Sequence, residues 1–262
     1  VLKNTSQLVV ENALGTEIPA QFEVLSRWID GSIKAVLVIV SENITSLTQQ
    51  YYLRYDQTVA KQYNSPLQVS DFTSYLQVNT GVLRFNISKT AFRLFDQAWI
   101  DQNKDQNYDA SEQIISQAGD IFFLNALDGQ EYTSSRFASP VVTIEEQGPV
   151  RTVIKAKGKL QAANGQVLTD FTVRIFAYAH SDKVQVDYTL VDTREEADVD
   201  ANRSILALSG KAWGLRMPLN LSGEKYVFGG EGGQTYSGNV VGNHYLYQSG
   251  QANYIDGSFQ PY

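Results

Sequence analysis

The chain has 262 residues, enough to bury a hydrophobic core without support from disulfides or metals. Its formal net charge is -7, with 21 Lys and Arg residues against 28 Asp and Glu. Binding to a phosphate backbone needs clustered positive charge, so we do not expect a nucleic acid partner. No apolar run approaches the roughly 20 residues that span a bilayer, so no membrane span is expected either. The absence of cysteine excludes disulfides, thiolate metal sites and cysteine nucleophiles.

Apolar residues recur with a period of two along most of the chain, which predicts strands rather than helices. The predicted strands are rich in β-branched and aromatic residues: Gln7–Val10, Ala20–Leu25, Ile33–Val40, Gln50–Tyr55, Val82–Ile87, Val150–Lys157, Thr169–Tyr178 and Lys183–Val191. Three turn dipeptides separate neighbouring strands, namely Asp30-Gly31, Asn164-Gly165 and Ser181-Asp182. Short hairpin turns imply antiparallel sheets, so we predict an all-β chain.

Trp28 comes just before the Asp30-Gly31 turn. A large aromatic residue at the end of a hairpin is most simply interpreted as a core anchor, and the alternative is a surface on which a sugar stacks. Asp30 and Ser32 are expected to cap the turn with their side chains.

A polar stretch from Val59 to Ser70 contains Pro66 and has no periodicity, which predicts a linker. We place a domain boundary near residue 65. Residues 1–65 are then a small barrel-like β domain, and residues 66–262 are an antiparallel β-sandwich with a Gly/Tyr-rich C-terminal segment. In that segment, Gly229–Gly233 is expected to be a flexible loop. It lacks the Lys-Ser/Thr pair of a phosphate cradle.

The strongest chemical signal is the stretch from Asp101 to Glu112. Potential ligands stand at the spacing by which a twelve-residue EF-hand-like loop wraps Ca²⁺. They are the side chains of Asp101, Asn103, Asp105, Asp109 and Glu112 and the backbone carbonyl of Asn107. Gln106 replaces the usual glycine, and no helix precedes the loop, so we expect a structural calcium loop between two strands. A metal-free Asp/Asn-rich connection is the alternative. Repulsion among the carboxylates favours the calcium interpretation.

Two other acidic groups have weaker chemical interpretations. Glu145 and Glu146 would serve a glycoside hydrolase only if both lay on one face, whereas adjacent strand residues point to opposite faces. The run Glu195–Asp200 is interpreted as a solvated loop.

We assign no catalytic residue to the chain. His180 is interpreted as a surface histidine at a hairpin turn, and no Gly-x-Ser-x-Gly nucleophile elbow occurs in the sequence. Arg216, His244 and Tyr245 could in principle neutralise a substrate carboxylate and remove a proton, but a chain with 15 tyrosines assembles such a trio easily by chance.

The chain carries glycosylation sequons at Asn4, Asn43, Asn86, Asn202 and Asn220. Asn86 lies within a strand pattern and is interpreted as incidental, which leaves Asn4, Asn43, Asn202 and Asn220 as candidates. The surplus of Asn, Gln, Ser, Thr and Tyr over charged residues also favours an extracellular or cell-surface location.

Several strings resemble the exo-rhamnogalacturonan lyase family and its YetA-like relatives. They are P-A-Q and R-W-I-D-G-S within Ile18–Lys34, N-T-G-V-L-R-F within Asn79–Ile87, E-E-Q-G-P-V-R at Glu145–Arg151, Lys155–Gly158 and Phe176–Tyr178. The resemblance implies a small N-terminal β-barrel and a central β-sandwich. It further implies a helical toroid with much of the lyase chemistry, which we expect outside these residues, so both ends are expected to be truncations of a longer polypeptide.

Two functions follow as hypotheses. In the first, the chain is a non-catalytic module of an extracellular polysaccharide-lyase-like protein, and it supports carbohydrate binding. In the second, it is a structural subunit of an extracellular surface layer or appendage, and its partners are other copies of itself.

Overall fold

The computed structural model describes residues 1–42, 48–55, 63–192, 210–220, 225–229, 234–239, 246–248 and 259–261. This described part is nearly all β, which confirms the predicted fold class, and its helical turns are two 3₁₀ segments at Thr5–Gln7 and Ala110–Glu112. The chain divides into two compact units, residues 1–218 and residues 219–262.

The strands are numbered in chain order. The first ten are β1 (Val9–Asn12), β2 (Glu17–Ile18), β3 (Ala20–Arg27), β4 (Ile33–Val40), β5 (Tyr51–Arg54), β6 (Gln68–Asp71), β7 (Tyr75–Asn79), β8 (Leu83–Ser88), β9 (Gln97–Ile100) and β10 (Gln113–Ile115). The next seven are β11 (Asp120–Asn125), β12 (Glu131–Thr133), β13 (Val141–Gln147), β14 (Arg151–Gln161), β15 (Val167–Tyr178), β16 (Val184–Val191) and β17 (Gly210–Arg216). The smaller unit contains β18 (Lys225–Gly229), β19 (Thr235–Asn239), β20 (Leu246–Gln248) and β21 (Phe259–Pro261).

The N-terminal strands form a three-stranded antiparallel sheet, in the order β2-β1-β5, and a separate β3–β4 hairpin. Gly31 has a φ of +79°, which glycine adopts without steric cost, so the Asp30-Gly31 turn closes the hairpin as predicted. The Asn164-Gly165 and Ser181-Asp182 turns likewise join consecutive antiparallel strands.

Two larger sheets form a β-sandwich. One has five strands in the order β10-β9-β8-β7-β6, and the other has seven, in the order β16-β15-β14-β12-β11-β17 with β13 paired to β14. Inward-facing residues of both sheets share one hydrophobic core, including Phe85 and Ile87 from the first sheet and Phe171 and Ile175 from the second. Along each strand, residues that face the core alternate with residues that face outward, as expected for sheets packed face to face.

The eight predicted strands are all observed, with their ends displaced by a few residues. The predicted linker is partly wrong: its last residues form β6, which pairs with β7, and Leu67 is buried in the sandwich core. Residues 59–62, the first part of that linker, lie outside the described residues. The domain boundary near residue 65 stays a prediction.

The C-terminal segment contains antiparallel pairs that the sequence analysis did not predict. β18 pairs with β19, and β20 pairs with β21. Of the predicted flexible glycine loop, Gly229 ends β18. Residues 230–233 lie outside the described residues.

Candidate functional site

The predicted calcium loop connects β9 to β10, which are antiparallel neighbours in the five-stranded sheet. This is the expected setting, a loop between two strands without a preceding helix. Asp109 caps the 3₁₀ turn at Ala110–Glu112, and Glu112 completes a capping box with it. The two ends of the loop are therefore held close together by the pairing of the strands.

Asp101 and Glu112, the first and last residues of the loop, are only 6% and 4% exposed. Their carboxylates accept hydrogen bonds from the loop backbone. Asp101 accepts from the amides of Asp105 at 3.2 Å and Gln106 at 2.9 Å. Glu112 accepts from the amides of Gln102 at 2.9 Å and Asn103 at 3.3 Å. These bonds hold the backbone in a closed loop.

The backbone explains how the loop tolerates Gln106 where such loops usually have glycine. Gln106 has a φ of 62° and Lys104 a φ of 64°, so both residues adopt the left-handed conformation that the sharp turn requires. The Asp101 carboxylate accepts from the Gln106 amide and thereby stabilises that conformation.

An arginine on the neighbouring strand β8 contacts the loop. The Arg84 guanidinium lies 4.5 Å from the ring centroids of both Trp99 and Tyr108 and donates to the Tyr108 carbonyl. The Tyr108 hydroxyl donates to the Asn79 side chain at 2.7 Å. Burial, followed by the nearby charge of Asp101, raises the pKa of the Tyr108 phenol, which therefore stays protonated as a donor.

The remaining candidate ligands Asn103, Asp105, Asn107 and Asp109 are exposed. Across the part of the chain that the structure describes, no group of three or more His, Asp or Glu side chains is gathered closely enough to hold a metal ion. The fit to calcium is therefore partial, because the ligand types and the backbone suit the ion while the carboxylates do not converge on one point.

Two of the strings that carry the family resemblance, P-A-Q and E-E-Q-G-P-V-R, contact each other in the structure, which was not predicted from the sequence. Gln21, from P-A-Q, is buried, and its amide oxygen accepts from the backbone amides of Val150 at 3.2 Å and Arg151 at 3.0 Å. Its amide nitrogen donates to Glu146, and Glu146 forms an ion pair with Arg151. Gly148 passes so close to Gln21 that a β-carbon there would lie 2.1 Å from its amide. These contacts join the β3–β4 hairpin to the sandwich.

The predicted orientation of Glu145 and Glu146 is wrong. A β-bulge between Ile144 and Glu146 inserts an extra residue, so both carboxylates reach residues on the same face of β14. Glu145 pairs with Lys155 and Arg174, and these cations lower its pKa to about 2. A carboxyl held ionised in this way cannot serve as a general acid near neutral pH, so the weak hydrolase interpretation gains no support.

Trp28 is also placed differently from the preferred interpretation. It is 57% exposed at the tip of the β3–β4 hairpin, so it is not a core anchor. The Lys34 ammonium lies 4.6 Å from the centre of its ring. The capping prediction is confirmed, since Asp30 accepts from the backbone amide and the hydroxyl of Ser32 at 3.0 and 2.6 Å.

The sequons occupy different settings. Asn4 and Asn220 are exposed, whereas Asn43 and Asn202 lie outside the described residues. Asn86 lies on β8, where its amide donates to Gln97 at 3.2 Å and accepts from Gln77 at 3.0 Å. This cross-strand ladder occupies the amide that a glycan would modify.

Of the residues considered for catalysis, the two that the structure describes, His180 and Arg216, have separate partners. His180 is exposed at the β15–β16 turn with a φ of 60°, and its ring lies 3.0 Å from the Tyr63 hydroxyl. Arg216 pairs with Glu131 on the edge of the seven-stranded sheet. His244, Tyr245 and the acidic run Glu195–Asp200 lie outside the described residues.

Comparison with known proteins gives one family match. The profile of the PcRGLX-like protein central beta sandwich domain, which is related to rhamnogalacturonan lyases, matches residues 67–240. The match includes the β-sandwich and the Asp101–Glu112 loop. No curated protein sequence matches the chain. In the described ranges, no helix has the length and apolar character needed to cross a bilayer.

Proposed function

The chain belongs to the PcRGLX-like protein family through its central β-sandwich domain, and we propose that it is a non-catalytic β module of an extracellular, lyase-like protein. Its role is to support carbohydrate binding, and the polysaccharide is of the rhamnogalacturonan type. The observation that carries the proposal is the family match over residues 67–240. The exposed Asn4 and Asn220 sequons are compatible with export.

The outer face of the large sheet supports the non-catalytic part of this proposal. Its carboxylates are neutralised by neighbouring cations, as Glu145 is by Arg174 and Lys155, and Asp170 is by Lys159. Catalytic carboxyl groups need a pKa tuned toward the working pH, whereas the pKa of Glu145 is shifted in the opposite direction, to about 2.

Calorimetric titration with rhamnogalacturonan oligosaccharides tests the proposal, with a neutral glucan as the control ligand. We expect binding of the rhamnogalacturonan fragments alone. Ultraviolet absorbance of unsaturated uronate products is followed in the same samples and is expected to stay flat. Release of unsaturated product would contradict the non-catalytic role, and equal binding of the neutral glucan would contradict the proposed ligand.

The proposal includes a structural calcium ion held by Asp101–Glu112. Asp101, Asn103, Asp105, Asp109 and Glu112 would supply side-chain oxygens, and Asn107 its backbone carbonyl. The left-handed conformations of Lys104 and Gln106 and the burial of Asp101 and Glu112 support this assignment. The ion would neutralise the loop carboxylates and fix the connection between β9 and β10, and it would take no part in chemistry.

Thermal melting with calcium and with a chelator tests the ion. At a calcium concentration about 100 times the dissociation constant, binding stabilises by about 2.7 kcal/mol, which raises the melting temperature by several degrees. The Asp105→Asn variant removes an exposed carboxylate without disturbing the core and is expected to lose most of this increase. Equal melting temperatures in calcium and in chelator would contradict the proposed calcium site.

Self-association is the second candidate, and β4 is the observation that favours it. Its sequence from Ala35 to Val40 is entirely apolar, and among the described strands it pairs with β3 alone. A long apolar strand with an unpaired edge is a template for another strand. Light scattering across a concentration series would show dimers that the Leu37→Lys variant abolishes, whereas a monomer at all concentrations would dismiss this candidate.

A further inference from the structure

The tip of the β3–β4 hairpin is a rigid surface feature. The amide of Trp28 donates to the Ser32 carbonyl at 2.8 Å, and the amide of Gly31 donates to the Trp28 carbonyl at 3.0 Å. Arg27 braces the tip by donating to the carbonyls of Lys3 at 2.7 Å and Gly31 at 2.9 Å. The indole is thus carried on a fixed backbone, so little conformational entropy is lost when a ligand contacts it.

The chemistry of the tip combines an aromatic face with positive charge. Lys34 contacts the Trp28 ring, while 57% of the Trp28 surface remains exposed to solvent. Asp30 is the nearby carboxylate, and its hydrogen bonds to the side chain and backbone of Ser32 hold its pKa below the ordinary value. The two cations Arg27 and Lys34 therefore outnumber the single acid at the tip, although the whole chain carries a net charge of -7.

We propose that Trp28 and Lys34 form a binding platform for an anionic sugar residue, a uronate within a polysaccharide. The C–H face of a pyranose ring is apolar and stacks on an indole, and the ammonium of Lys34 attracts the carboxylate of the sugar. This inference rests on the proposed carbohydrate-binding function and assigns it a place on the molecule.

The chain provides a matched control for the aromatic contact. Trp213 on β17 is 61% exposed, which is comparable to Trp28, and its ring lies 5.8 Å from the Tyr188 ring. Loss of either indole removes a similar exposed aromatic surface. Loss of Trp28 also removes the ring that the Lys34 ammonium contacts.

Calorimetric titration with a rhamnogalacturonan oligosaccharide and with its carboxyl-reduced, neutral form tests the platform. We expect Trp28→Ala to weaken binding of both ligands by about tenfold or more, and Trp213→Ala to leave both within about twofold. Lys34→Gln is expected to weaken the acidic ligand by several-fold and to spare the neutral one, whereas Lys34→Arg retains binding. Unchanged melting temperatures confirm that the variants are folded.

The outcomes separate the two levels of the proposal. Wild-type protein that binds neither ligand overturns the proposed function itself. Wild-type protein that binds while Trp28→Ala binds equally well overturns the platform alone. A loss in Trp213→Ala as large as that in Trp28→Ala also overturns the platform, because the ligand then contacts a different surface.

Discussion

Strands β4 and β8 both carry large apolar side chains, but their surroundings are very different. In β8, Leu83, Phe85 and Ile87 are buried against the facing sheet of the sandwich. In β4, Leu37 and Val40 remain exposed, because β4 pairs with β3 alone in the described part of the chain. Apolar and β-branched residues favour a strand in both places, whereas burial depends on a second layer that packs against the strand.

The sandwich and the N-terminal hairpin are expected to differ in stability and in role. The sandwich has the continuous core, so its opening requires exposure of many apolar side chains. The N-terminal hairpin contacts the sandwich through Gln21 and presents Trp28 on its tip. We therefore expect the sandwich to provide stability and the hairpin to provide a recognition surface.

Truncation of a core residue is expected to give the largest effect and to sharpen this contrast. Phe171 is 1% exposed and stacks on Phe92, so Phe171→Ala should cost about 3 to 5 kcal/mol in the free energy of unfolding. Leu37 is 37% exposed, and Leu37→Ala should cost less than about 1 kcal/mol. Urea unfolding measures both variants. Similar costs would mean that the hairpin is as deeply packed as the sandwich.

The sequence predicted the parts of the fold that local patterns determine. Alternation and turn dipeptides identified β3, β4, β15 and β16 because each strand is long and its turn residues adjoin it. The short strands β10 and β12 have three residues each and carry too little periodicity to be recognised. The β-sandwich prediction was also correct, because many antiparallel strands bury their apolar faces by packing as two sheets around one core.

Long-range contacts were not predictable from the same patterns. Gln21 and Glu146 are 125 residues apart, and nothing local to either residue indicates that their side chains meet. The bulge that places Glu145 and Glu146 on one face depends on the register with β14. Trp28 was assigned to the core because its residue type favours burial, whereas its exposure depends on which elements cover the hairpin tip.

A second prediction tests the junction between hairpin and sandwich. In Gly148→Ala the new β-carbon would overlap the buried amide of Gln21, so we expect a loss of about 1 to 3 kcal/mol in stability. The double variant Gln21→Ala/Gly148→Ala removes the overlap and should cost less than the sum of the two single changes. Gly214→Ala is the control, because its β-carbon meets no atom closer than 3.5 Å. If the losses in the free energy of unfolding were strictly additive, the proposed contact between Gly148 and Gln21 would be contradicted.

The smallest expected effect concerns Glu145 on the outer face of the sandwich. Its pKa in the folded state, about 2, lies below the ordinary value of 4.5. The ionised form therefore stabilises the fold above about pH 4.5, and this contribution is lost as the pH falls toward 2. Because the pair is partly solvated, we expect at most about 1 kcal/mol.

Glu145→Gln should lower stability at neutral pH and leave it unchanged at the acid end of the range, as measured by urea unfolding at a series of pH values. A difference between variant and wild type that stays constant from neutral to acid pH would show that the ion pairs with Arg174 and Lys155 contribute nothing through charge.

We propose that this β module binds a rhamnogalacturonan-type glycan and does not cleave it. Amide chemical shifts of the isotopically labelled chain, recorded during titration with rhamnogalacturonan oligosaccharides, test it most directly. We expect saturable shifts at a limited set of residues that includes Trp28 and Lys34, with the oligosaccharide recovered intact. An unchanged spectrum at millimolar oligosaccharide, or recovery of cleaved oligosaccharide, would contradict it.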